Sequence, residues 1–268
     1  MRSWIRKTVL LTLVLAMGVM LMGCTFHVSF GQRHVRLSNE YVSKTVKPRV
    51  EEESWKVVID KMIFLNSGNV SIRLIPSDTT YVEAYYSEEL ERYGFKITAE
   101  NGVIRVATGY NYTYSTECFE LTIYANFHEL QLKGGYELDV DATGMRELEI
   151  RIDGAANCEV TNLQAERVGM KIAGAAKVEA QGFADLFEVD LSGAGDIDAK
   201  YLGCLEARVE VKGAGSVSVS VEELLDVDIA GVSSVRYYGS PKVRRNIAGV
   251  ASVEQASDHM LAGATGSM

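Results

Sequence analysis

Val189-Asp-Leu-Ser-Gly193-Ala-Gly-Asp-Ile197-Asp-Ala199 is the clearest copy of a phrase that recurs six times between about Glu149 and Ser257. The others are Ile150-Arg-Ile-Asp-Gly154-Ala-Ala-Asn-Cys158-Glu-Val160, Met170-Lys-Ile-Ala-Gly174-Ala-Ala-Lys-Val178-Glu-Ala180, Val209-Glu-Val-Lys-Gly213-Ala-Gly-Ser-Val217-Ser-Val219, Val227-Asp-Ile-Ala-Gly231-Val-Ser-Ser-Val235-Arg-Tyr237 and Arg245-Asn-Ile-Ala-Gly249-Val-Ala-Ser-Val253-Glu-Gln255. A degenerate earlier copy reads Leu130-Gln-Leu-Lys-Gly134, so the anchor glycines lie 20, 20, 19, 20, 18 and 18 residues apart. Apolar and polar residues alternate on both sides of each glycine, which is the period of a strand with one buried face. In the quoted copy Val189, Leu191, Ile197 and Ala199 point inward, and Asp190, Ser192, Asp196 and Asp198 point outward. The small residues between the two halves suit a tight corner, where φ is often positive. Leu163, Phe183 and Leu202, nine residues after their glycines, are expected to fill a second corner.

A period of 18–20 residues fits one coil of a solenoid that buries its inner face by stacking on its neighbours. The L-x-x-L-x-L-x-x-N pattern of helical leucine-rich repeats is absent, and propeller blades are about twice as long. The segments between copies are also too short for crossover helices of ten or more residues. The predicted fold is all-β, a single-stranded β-helix or β-solenoid with two or three short strands per coil.

The chain opens with Arg2, Arg6 and Lys7 before an apolar run from Thr8 to Met22. That run is short against the ~20 residues of a spanning helix. It ends in Leu21-Met22-Gly23-Cys24, which resembles a bacterial lipobox. The expected product loses residues 1–23 and carries lipid on Cys24, an ordinary signal peptide or uncleaved anchor being the alternatives. Without the three leading cations the 27 basic residues become 24 against 36 acidic ones, a net charge of −12 in place of −9. Such a surface disfavours nucleic acid and unassisted binding to anionic lipid, so membrane attachment falls to the acyl chains.

Residues 24–54 are polar, with Lys44, Lys47 and Arg49 followed by Glu51, Glu52 and Glu53, and read as a tether in which His34–Val42 is able to form a strand or short helix. From Trp55 to Ala125 the alternation is looser. Strands are expected at Lys56–Ile59, Asn69–Ile75, Tyr81–Tyr86, Phe95–Thr98, Val103–Ala107 and Phe119–Tyr124, with a helical turn near Ser87–Tyr93. Glu100-Asn101-Gly102 is a hairpin signal. The alternation runs through Ala125–Leu130, so residues 55–257 are read as one domain, and 258–268 as a disordered tail.

This layout resembles the putative auto-transporter adhesin family, also called the head GIN domain family, over about Trp55 to Ser257. The Trp55–Ile75 segment, the Asn101-Gly102-Val103-Ile104-Arg105-Val106 element, Leu191-Ser-Gly-Ala-Gly-Asp-Ile197 and Val211-Lys-Gly-Ala-Gly-Ser-Val217 carry the resemblance. It implies a solenoid on a bacterial envelope protein with an adhesin-like role, and it brings no catalytic residues. The last two copies depart from the pattern: Gly-Val replaces Gly-Ala and the unit shortens to 18 residues.

The glycine phrase superficially matches a calcium-binding roll. The position of Asp196 is Asn157, Lys177, Ser216, Ser234 and Ser252 elsewhere, and a lysine in that row opposes a metal ladder. Five residues after the glycines stand Glu159, Glu179 and Asp198, expected about 4.8 Å apart on adjacent coils. They are a candidate cation or partner surface, against the plainer reading of a solvated ion-pair ladder. Arg151 and Lys171, three before their glycines, are the nearby cations expected to offset them. Tyr110, Tyr112 and Tyr114 form a candidate aromatic contact loop, against ordinary loop packing; Tyr237 is expected to face inward and Tyr238 outward. His27, His34, His128 and His259 are scattered, and no outward column joins carboxylates to a histidine, so no metal, cofactor or catalytic residue is assigned. With Cys24 lipidated, Cys118, Cys158 and Cys204 remain, an odd number that excludes full pairing. Cys158 takes the slot of Val178 and Ile197 and reads as a small hydrophobe.

The expectation is a non-enzymatic lipoprotein of the cell envelope, at the outer membrane or cell surface. It presents the solenoid to a glycan or protein partner. A carbohydrate-active β-helix enzyme, which requires clustered acids in a groove, and an envelope assembly or signalling lipoprotein are the alternatives.

Overall fold

The computed structural model of the chain describes residues 34–64, 69–109 and 112–256. Residues 1–23, Cys24, Tyr110 and the tail 258–268 lie outside the described residues. The strands are β1 (His34–Arg36), β2 (Tyr41–Val46), β3 (Trp55–Phe64), β4 (Asn69–Ile75), β5 (Tyr81–Ser87), β6 (Lys96–Glu100), β7 (Val103–Ala107), β8 (Thr113–Ser115) and β9 (Cys118–Tyr124). They continue as β10 (Phe127–Asp141), β11 (Glu147–Ile152), β12 (Ala155–Ile172), β13 (Ala175–Leu191), β14 (Ala194–Val211), β15 (Ala214–Ile229), β16 (Val232–Tyr238), β17 (Lys242–Ile247) and β18 (Val250–Gln255).

From β10 onward every pairing is parallel, each strand lying on its counterpart one repeat away. The fold is a β-solenoid. Its period-2 residues form continuous buried columns, such as Leu138, Cys158, Val178, Ile197, Val217 and Val235. A second column runs Leu132, Ile152, Ile172, Leu191, Val211 and Ile229. Burying aliphatic side chains at ~1.5–3 kcal/mol each supplies the driving force that one coil alone lacks.

The middle coils are each one long strand bent at the second corner, not two or three short ones. β12, β13 and β14 hold 18, 17 and 18 residues and pass that corner through register shifts near Val160–Leu163, Glu179–Gln181 and Ala199–Gly203. An extra unpaired residue bends a strand without ending its ladder. The shift also corrects the second-corner cluster. Leu163 lies beside Gly182 and Gly182 beside Leu202, while Phe183 lies one position on, against Gly203. Leu163 and Leu202 are buried, and Phe183 is partly exposed. In the 18-residue coils the same corner breaks the strand between Tyr238 and Lys242, with Gly239 at φ +92°.

The first half is not a looser run of successive coils. β3 lies between β7 and β10, and β4 between β9 and β10, all parallel. One buried column therefore reads Ile104, Val57, Leu130, Ile150, Met170, Val189, Val209 and Val227, out of chain order at its start. Beyond β9 and β7 the stack closes with antiparallel partners: β5 and then β2 on one side, and β6 on the other through the Asn101–Gly102 hairpin. Both turn residues have positive φ (52° and 69°), as a two-residue turn of this twist requires. Glu88–Tyr93 forms the expected helical turn, of 3-10 type.

The tether reading of residues 24–54 is corrected in its second half. β1 pairs with β8 and β2 pairs with β5 over six residues, and Leu37 is buried. Alternation is weak there because β2 is an edge strand with one thinly covered face. A single continuous core runs from Leu37 to Val235.

Candidate binding surface

Two outward columns follow each anchor glycine. The inner one reads Asn157, Lys177, Asp196, Ser216, Ser234 and Ser252. The other brings Glu159, Glu179 and Asp198 into register and runs on through Ser218, Arg236 and Glu254. It starts one coil earlier than expected, at Asp139, which lies beside Arg73 and Glu159. Asp139 stands five residues after Gly134, the same offset as Glu159 from Gly154, so its signal was present in the degenerate copy.

The charges of this acid row are balanced from within the same strip. Lys177 Nζ contacts Glu179 Oε1 at 2.5 Å, Lys200 Nζ contacts Asp198 Oδ2 at 2.7 Å, and Gln181 Nε2 donates to Glu159 Oε1 at 3.4 Å. Residues two apart share a strand face, which sets these pairs before any stacking. The hydrogen bonds to Glu179 and Asp198 push the Lys177 and Lys200 ammonium groups above their ordinary pKa. Arg151 and Lys171 do not serve the acid row. They lie on the other side of the glycine corner, where Arg151 Nε meets Glu129 Oε1 at 3.2 Å and Lys171 Nζ meets Glu149 Oε1 at 2.7 Å. Among the described residues no group of three or more His, Cys, Asp or Glu is arranged to hold a metal ion.

Small side chains leave a depression of about 330 Å³ in the strip, walled by Lys177, Glu179, Asp196, Asp198 and Arg236 and floored by Ser216, Ser218 and Ser234. Ser216 Oγ donates to Asp196 Oδ1 at 2.5 Å, and Ser252 Oγ donates to Ser234 Oγ at 3.2 Å. At its rim Lys200 Nζ sits 4.9 Å from the Tyr201 ring centroid, and that ring is 49% exposed. Hydroxyl and carboxylate groups repeat here at the coil spacing of about 4.8 Å, beside the one guanidinium of Arg236. The arrangement can hydrogen-bond an extended polar ligand. It contains no histidine or thiol.

A second depression, about 440 Å³, lies on the face that precedes the glycines. Gly169 stands between Glu149 and Glu188 in one column. Glu188 accepts from Arg167 Nε at 2.8 Å and from Arg208 Nη1 at 3.1 Å, so one carboxylate ties three coils. Burial works against ionisation of Glu188, but the two arginines outweigh it and hold the carboxyl below its usual value. Sequence reading missed this network, although Glu129, Glu149, Gly169, Glu188, Arg208, Asp226 and Arg244 all stand five residues before an anchor glycine.

The tyrosine loop does not form an exposed aromatic surface among the described residues. Tyr114 is fully buried, its ring 5.9 Å from that of Tyr93 and 6.2 Å from that of Phe64. Tyr112 stands edge-on to Tyr93 at 5.7 Å. Burial raises the Tyr114 phenol pKa. β8 carries both Thr113 and Tyr114 into the interior, where the Tyr114 ring packs among aromatic neighbours. Tyr237 packs partly against the core, and Tyr238 is also only partly exposed. Cys118, Cys158 and Cys204 are free thiols, the last two buried.

A family model described as putative auto-transporter adhesin, head GIN domain, matches residues 66–241. The chain belongs to that family. Its fold is shared with solved structures of low identity. A putative adhesin from Bacteroides fragilis NCTC 9343 is 15% identical, with a TM-score of 0.67 over 83% of this chain and 100% of that one. A putative lipid binding protein from Parabacteroides distasonis ATCC 8503 is 17% identical, with a TM-score of 0.62 over 84% and 100%. A putative adhesin from Parabacteroides merdae ATCC 43184 is 17% identical, with a TM-score of 0.53 over 84% and 100%. No curated protein matches.

Proposed function

We propose that this head GIN chain is a non-enzymatic lipoprotein of the cell envelope, held at the outer membrane or cell surface by acyl chains on Cys24. Its solenoid binds a glycan or protein partner through the strip around Asp196 and Ser218. The observation that carries the binding reading is the in-register run of Asp196, Asp198, Ser216, Ser218, Ser234 and Arg236. It offers fixed donors and acceptors on a rigid scaffold, so little ordering free energy is lost when a long polar ligand settles on it. The family's description as an adhesin supports a surface role, and Leu21-Met22-Gly23-Cys24 supports the anchor.

The test has two arms. In cells, Cys24→Ser is expected to move the chain out of the membrane fraction and to abolish labelling by an alkynyl fatty acid; retained labelling defeats the anchor. In vitro, the full chain is applied to immobilised extracellular polysaccharides and matrix proteins. Asp196→Arg and Ser218→Trp, which reverse and fill the depression, are expected to abolish retention. Retention equal to the parent defeats the strip, and shortening of a glycan in place of retention defeats the non-enzymatic reading.

A further inference from the structure

The two ends of the parallel stack are finished differently. The antiparallel strands β2, β5 and β6 close most of the N-terminal end, and β1 adds a short parallel cap on β8. At the other end β17 pairs with β15 and β18 with β16, and among the described residues no strand pairs with their remaining edges. Exposed aliphatic side chains gather there: Val232 (38%), Ile247 (40%) and Val250 (67%). Val232 and Val250 are stacked neighbours, in the slot that Ala194 and Ala214 fill on earlier coils. Lys242, Arg244 and Arg245 are exposed on β17, and among the described residues no carboxylate lies within ion-pair distance of them, in a chain of net charge −9. Arg245 also stands above Val227, at the end of the aliphatic column that begins at Ile104.

A second copy fits this end poorly. Two-fold pairing of β17 with itself sets three cations against three. Stacking a copy in register would bury the Arg245 guanidinium without a partner. The charge calls for the opposite sign, and the free backbone edge calls for a strand.

We propose that the open C-terminal end docks an extended acidic segment of a protein partner, added as a further strand on β17. Its apolar side chains meet Val243 and Ile247 on one face of β17, and its carboxylates meet Lys242 and Arg244 on the other. The free N–H and C=O groups of β17 supply the affinity, and Lys242 and Arg244 set the partner's charge and raise its on-rate. This surface is separate from the polar strip and does not depend on it.

The test is fluorescence polarisation of the full chain with a labelled peptide alternating valine and glutamate, beside one alternating valine and lysine. The glutamate peptide is expected to bind and the lysine peptide not to bind. Lys242→Glu/Arg244→Glu weakens binding at least about tenfold, and raised salt weakens it for the parent chain. Arg244→Gln is measured alongside in case the double variant melts early, and Lys133→Glu on β10 leaves binding unchanged. Equal binding of both peptides, or binding indifferent to Lys242 and Arg244, overturns the proposal. So does capture of heparin or phosphatidylglycerol vesicles in place of the peptide, end-to-end dimerisation in sedimentation, or peptide binding that appears only after residues 257–268 are removed.

Discussion

Gly193 shows why the repeat keeps glycine at its anchor. Its φ is not in the left-handed region, so any residue tolerates its backbone conformation. A Cβ there would overlap the carbonyl oxygen of Gly174 on the coil below, as one on Gly174 would overlap that of Gly154. The corner needs glycine for close stacking, and not for the positive φ that a tight turn usually demands. Gly193→Ala is expected to cost about 1–3 kcal/mol in chemical denaturation, because the neighbouring coil cannot move away without losing its own register. Gly169→Ala should cost far less, since its Cβ meets only the far end of the Glu149 side chain. Ile197→Asp places an unpaired charge between Val178 and Val217 and should unfold the domain, at about 3–5 kcal/mol. An unchanged thermal melt would sink the inward assignment. Burial pushes the Cys158 and Cys204 thiols up to about 12. Of the three, Cys118 should therefore react first with a thiol reagent at pH 8, and the other two only after denaturation.

At the scale of the element, the Arg167–Glu188–Arg208 bridge makes β12, β13 and β14 sensitive to acid. Glu188 has a folded pKa below its ordinary value of 4.5. Its contribution is fully present above that value and is lost as the pH falls through the folded pKa. Thermal melts below pH 4.5 should therefore drop more steeply for the parent chain than for Glu188→Gln, which has already lost that contribution. The N-terminal strands give a second prediction. Deleting residues 34–46 should lower the melting temperature, because it bares the edge of β5 and removes the Lys44–Glu91 contact of 3.2 Å. A tether would be removed without effect. β3 to β7 and β9 were legible as strands because each alternates over five or more residues with turn signals between them. β2 was hidden because none of its residues is fully buried, and Tyr112–Tyr114 misled because three alternating tyrosines read equally as a loop and as a strand.

At the largest scale, the described residues form a stack whose coils hold one another, so its stability is graded along its length. β13 and β14 have ladders on both sides, while β17 and β18 have one each. Hydrogen exchange should be fastest in β17 and β18 and slowest in β13 and β14; uniform protection would mean that the open end is covered. The sequence by itself determined the solenoid, the coil length and the inward columns. Each is a local periodicity repeated at a constant offset, and repetition turns a parallel pairing of residues 20 apart into a visible signal. It also determined that Cys158 is a core residue and that Glu159, Glu179 and Asp198 share a row. Only the tertiary structure decided the interleaving of β7, β3 and β10, the three-coil bridge at Glu188 and the bare edge of β17. Those depend on which non-repeating segments lie together and on which long side chains reach across coils. Contacts between segments of unlike sequence leave no period to read.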